Sequence, residues 1–106
     1  MRHLVLTALT LAFLAGPVAA AETARVGMDK MLFVPRTLTI KPGTTVEWVN
    51  DEKRSNHSVF FEAEGLAESD RLFPGESWKR TFDKPGTYPY RCGPHPEMTG
   101  VIEVTK

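Results

Sequence analysis

Turn residues cut this sequence into pieces too short for long helices. Pro35, Pro42-Gly43, Pro74-Gly75 and Pro85-Gly86 recur along the chain from residue 22 onward. Proline cannot donate to a helical ladder, and Pro-Gly pairs turn the chain back on itself. The runs between these turns show the period-two alternation of half-buried strands and no sustained helical period. Leu38 and Ile40 alternate with Thr37, Thr39 and Lys41. Val46 and Trp48 alternate with Thr45, Glu47 and Val49, and Trp78 and Phe82 with Lys79 and Thr81. Tyr88, Tyr90 and Cys92 share one face, as do Ile102 and Val104. Further strands are expected over 24–28, 30–34 and 58–62, the last headed by His57 with Val59 and Phe61 turned inward. The charged stretch 50–56 reads as a loop, and the acidic stretch 63–73 as irregular or holding one helical turn. Seven to eight short strands pack most naturally as an all-β sandwich of two sheets.

The first residues have a different composition. Arg2 and His3 precede an apolar run from Leu4 to Ala15, followed by Gly16-Pro17 and the small residues Val18 to Ala21. This is the pattern of a secretory signal peptide over residues 1–21, cleaved after Ala20 or Ala21. The run is too short to span a bilayer comfortably. Export implies a periplasmic location and no membrane attachment after cleavage. Residues 22–106 then form one domain of about 85 residues. Such a chain buries a modest core and benefits from a staple. A disulfide is ruled out, because Cys92 is the only cysteine. An odd cysteine in an exported chain points to a reactive or ligating thiol. With 13 basic and 13 acidic residues the chain has no nucleic-acid footprint.

Cys92, His95 and Met98 lie three residues apart on the segment Tyr88-Pro-Tyr-Arg-Cys-Gly-Pro-His-Pro-Glu-Met-Thr-Gly100. Pro94 and Pro96 exclude a helix and stiffen a loop, so the ligands need little ordering when metal arrives. A thiolate, an imidazole and a thioether offered together suit copper better than other common metals. The fourth ligand is His57, the only other histidine beyond the leader. Two histidines and a cysteine in a trigonal plane, with a distant methionine, make a blue-copper arrangement. Singly, Cys92 reads as a small core residue, Met98 as a gap filler and His95 as a surface residue. Their coincidence in one window favours the joint reading. Zinc accepts Cys and two His but takes a thioether poorly. A Cys–His nucleophilic pair lacks an evident orienting group and a substrate cleft, so an enzyme is not expected. Pro94 has no N–H to offer the Cys92 sulfur, which leaves electron density on sulfur and favours Cu(II).

The segments Phe33-Val-Pro35, Leu38-Thr-Ile40, Val46-Glu-Trp48-Val-Asn50, Pro85-Gly-Thr-Tyr88 and Cys92-Gly-Pro-His95-Pro-Glu-Met98-Thr-Gly100 carry a resemblance. Over residues 24–105 the chain resembles the cupredoxins of the plastocyanin–pseudoazurin–amicyanin group. Its Cys-x2-His-x2-Met spacing is tight, as in amicyanin. Two departures are Ser58, where many members carry Asn, and Gly93, where a larger polar residue is common. The resemblance implies a Greek-key β-sandwich with one type 1 copper held by His57, Cys92, His95 and Met98. It implies a soluble one-electron carrier, expected to be monomeric. Electrons would pass through a partly exposed His95, where redox protein partners dock transiently. The apolar rim there would include Pro94 and Pro96, with Met28 or Met31. The alternative is a periplasmic protein of copper tolerance, in which Met28 and Met31 offer soft ligands to Cu(I) near the surface, although the reading of both as core or rim residues is favoured.

Overall fold

Alternation along each strand separates the inside of the molecule from its outside. The computed structural model describes residues 22–106, and the expected signal peptide at 1–21 lies outside them. Seven strands are present among the described residues: β1 (Thr23–Asp29), β2 (Leu32–Val34), β3 (Thr37–Ile40), β4 (Thr44–Asn50), β5 (Ser77–Phe82), β6 (Gly86–Arg91) and β7 (Thr99–Val104). They form two sheets, ordered β2-β1-β4-β5 and β3-β7-β6. β1 runs parallel to β4, and β3 parallel to β7; the other pairs are antiparallel. This is the expected all-β Greek-key sandwich.

In β4 every second residue is buried, from Thr44 through Val46 and Trp48 to Asn50. Trp48 is the centre of the core. Its ring lies 5.4 Å from Tyr90, 5.9 Å from Phe61 and 5.4 Å from Trp78. Val26 and Met28 of β1 and Ile102 and Val104 of β7 close around this aromatic group. Burial pushes the Tyr90 phenol up to about 12, and the Trp48 indole N–H draws it back part of the way. Arg80 caps the cluster at the surface. Its guanidinium lies 4.4 Å from the Phe61 ring centre and 4.5 Å from that of Phe82, and meets both Glu64 oxygens at 2.8 Å.

The turns act as the sequence suggested. Gly43 and Gly75 take φ of +88° and +84°, which a side chain would disfavour, each directly after a proline. One turn lacks glycine. Lys30 and Met31, at φ 51° and 61°, form the tight reversal between β1 and β2. The strand expected over 30–34 therefore begins only at Leu32.

The strand expected over 58–62 does not form. His57 and Leu72 make one isolated bridge, and Phe60 and Arg91 another. A single 3₁₀ turn, Glu62–Glu64, follows. The reason lies in two backbone donors. The Ser58 N–H goes to the Cys92 sulfur, and the Val59 N–H goes to the Ser69 hydroxyl at 2.8 Å. Both donors are spent on side chains, so no ladder propagates. The inward placement of Val59 and Phe61 still holds, since both are buried.

Candidate metal centre

β6 delivers Cys92 to the end of the sandwich. Tyr90 is buried on the inner face of β6, and Cys92, one residue past the strand, stays on that face and is fully buried. The loop that follows is closed by its own backbone. The Cys92 N–H donates to Met98 O at 2.9 Å, and the Met98 N–H donates to His95 O at 2.9 Å. These bonds hold Cys92, His95 and Met98 in one compact bend before β7 begins. Met98 is buried, and His95 is partly exposed between Pro94 and Pro96.

His57 arrives from the other side. Two bonds with Leu72 hold its backbone: the His57 N–H donates at 3.1 Å and its carbonyl accepts at 2.7 Å. Its side chain is fully buried. His57 Nδ1 stands 3.7 Å from Cys92 Sγ, and His95 Nδ1 stands 3.5 Å from the same sulfur. The three donor atoms lie within 4.8 Å of one another. One soft sulfur and two imidazole nitrogens converging at that range fit a single copper ion.

The far side of His57 is also defined. Glu52 Oε2 lies 3.2 Å from His57 Nε2, while Glu52 Oε1 accepts the Met31 N–H at 2.6 Å. The contact to the ring is close but lacks the alignment of a good hydrogen bond. It occupies Nε2 and leaves Nδ1 turned toward the sulfur. Burial raises the Glu52 pKa, but the Met31 N–H, Ser55 and His57 outweigh it, and the group ends below its ordinary value. Asn50 fixes the loop that carries Glu52. Its side chain donates to Ser55 O at 2.7 Å and to Leu72 O at 2.9 Å, and accepts the Glu52 N–H at 3.0 Å.

Cys92 accepts the Ser58 N–H at 3.4 Å. This bond comes from the backbone, so it does not require the Asn that many relatives carry at this position. The Ser58 hydroxyl accepts the Gly93 N–H at 2.9 Å and so ties the two ligand-bearing segments together. Burial raises the Cys92 thiol pKa, and the Ser58 and His95 backbone N–H groups, the Ser58 hydroxyl and Arg71 draw it part of the way back. Metal binding must therefore drive the thiol's deprotonation.

Residues 20–105 match the family of copper binding proteins known as the plastocyanin/azurin family. The chain belongs to that family. Copper is thus its cofactor. This cupredoxin is 41% identical over 95 residues to plastocyanin from Scenedesmus fuscus, covering 77% of this chain and 97% of the relative. It is 36% identical over 96 residues to amicyanin from Paracoccus versutus, covering 83% of this chain and 72% of the relative. Among solved structures, a reduced amicyanin variant superposes with a TM-score of 0.74 at 32% identity, covering 82% and 86% of the two chains. A copper-containing nitrite reductase from Thermus scotoductus also matches, with a TM-score of 0.72 at 34% identity, but over only 22% of its own chain.

Reading the sequence alone missed Glu52, Asn50 and Ser69. Asn50 had a signal, since it continues the inward alternation of Val46 and Trp48. Glu52 sits in a charged run and had none. Met28 is fully buried in the core, in line with the favoured reading, and so is neither a rim residue nor a surface ligand. Met31 is 40% exposed.

Proposed function

We propose that this cupredoxin is a periplasmic one-electron carrier whose copper is held by His57 Nδ1, Cys92 Sγ, His95 Nδ1 and, more weakly, the Met98 thioether. The observation that carries the reading is the convergence of three donors within 4.8 Å at the end of β6, with one histidine buried and the other partly exposed. Bound copper supplies the Cu(I)/Cu(II) couple. The protein's part is to hold its donors still. Both loop carbonyls, the Leu72 pair and Glu52 oppose movement of the ligands, which keeps reorganisation small. His95 is the ligand nearest solvent, so a donor or acceptor protein would dock there, briefly and over a small area. The likeness to plastocyanin and amicyanin supports a carrier over an enzyme. The burial of Met28 weighs against the copper-tolerance alternative, because it removes one of the two soft ligands that role invoked. On this reading residues 1–21 are the cleaved signal and 22–106 the working domain.

The test is reconstitution. Copper added to the purified protein should produce strong visible absorption that bleaches with a mild reductant. Cys92→Ser should abolish it. A Ser variant that kept the colour would sink the ligand assignment.

A further inference from the structure

The residue after the thiolate has no side chain, and another residue's carboxylate stands in the place of one. A Cβ built on Gly93 would collide with Oε1 and Cδ of Glu68 and come within 2.7 Å of the Ser58 hydroxyl. Glu68 comes from the irregular acidic segment, far from the ligand loop in sequence. Its approach is enforced by neighbours. The Ser69 N–H donates to Val59 O at 3.0 Å, and the Ser69 hydroxyl accepts the Val59 N–H. The segment is thereby pinned along the stretch that carries His57 and Ser58. Arg71 Nε lies 3.8 Å from Glu68 Oε2 on the outer side. The Glu68 side chain is 34% exposed, so its charge is only partly screened.

We propose that Glu68, seated against Gly93, is a tuning residue of the copper centre: its fixed negative charge beside the Cys92 loop favours Cu(II) over Cu(I) and lowers the reduction potential. Gly93 and Ser58 work with it as small residues that leave room for the carboxylate. The two departures from the family pattern then have one explanation. A negative charge near a site stabilises its more positive state, and the effect weakens with salt. Glu68 touches no reacting atom and acts through the field at the site.

The proposal rests on the copper reading above, and its test separates the two. Wild-type protein must first take up copper and show its absorption; failure there overturns the earlier reading alone. In the loaded protein, Glu68→Gln keeps shape and removes charge. At a fixed ambient potential near the midpoint, the Cu(I)/Cu(II) ratio should rise about threefold to tenfold, tenfold being 59 mV for a one-electron couple. The rise should shrink at high salt. A ratio unchanged in Glu68→Gln overturns the proposal. So does a rise that stays the same size at high salt, because a field effect on the site must be screened.

Discussion

Gly100 of β7 lies directly opposite Tyr90 of β6, and the Tyr90 ring covers it. A Cβ at Gly100 would meet the Tyr90 Cε1 at 2.9 Å, with the ring's Cζ and hydroxyl closer still. The ring cannot swing aside. Phe33 packs against it at 4.7 Å, Phe61 at 5.1 Å and Trp48 at 5.4 Å. Gly100→Ala should therefore force overpacking, which costs about 1–3 kcal/mol. Replacing glycine in a strand returns roughly 0.5–1 kcal/mol, because alanine loses less backbone entropy on folding. Contacts this short against a hemmed-in ring put the cost in the upper part of that range, about 2–3 kcal/mol, so the net expectation is a loss of about 1–2.5 kcal/mol, or roughly 4–20 °C in Tm for a domain of this size. Denaturant unfolding of the copper-free protein measures it without contribution from the metal. The partner mutation is Tyr90→Leu, which opens the space over residue 100. In that background Gly100→Ala should cost less than about 0.5 kcal/mol, because the clashing ring is gone. A Gly100→Ala protein as stable as wild type would refute the reasoning. An equal loss in both backgrounds would show that the strain lies elsewhere than the ring.

Glu52→Ala should weaken copper affinity about 10- to 100-fold, since His57 loses the group that sets its orientation, and competition with a chelator measures this. An unchanged affinity would mean that the Leu72 bonds alone position the imidazole. Removing copper from the loaded protein should lower Tm, because a ligand bound only by the folded state adds RT ln(1 + [L]/Kd) to stability; coincident melting curves would argue against a metal staple.

What could be read in advance divides by physical cause. Alternation located Trp48, Tyr90 and Ile102 in the core because a strand has only two faces. The proline-braced spacing of Cys92, His95 and Met98 announced a ligand loop, since local geometry there is set by neighbours in sequence. The stretch 58–62 was misread as a strand because the competitors for its backbone donors, the Cys92 sulfur and the Ser69 hydroxyl, are distant in sequence. Glu52 and Glu68 were equally hidden. Both lie in charged runs that resemble solvated loops, and only the fold turns one toward His57 and the other over Gly93.

The two halves of the centre are held by different means, and this bears on how it works. Cys92, His95 and Met98 share a bend closed by two internal hydrogen bonds and hung between adjacent strands, so they move as one piece. His57 belongs to the other wall, fixed by Leu72 at its backbone and by Glu52 at its ring. Ser58 joins the walls at the ligands through two bonds, its N–H to the Cys92 sulfur and its hydroxyl from the Gly93 N–H, and the Phe60–Arg91 bridge joins them one residue before Cys92. Any change in metal–ligand distance must either stretch these bonds or shift a whole wall against the aromatic core. A rigid joint of that kind suits electron transfer, in which the donors must stay in place as the charge at their centre changes.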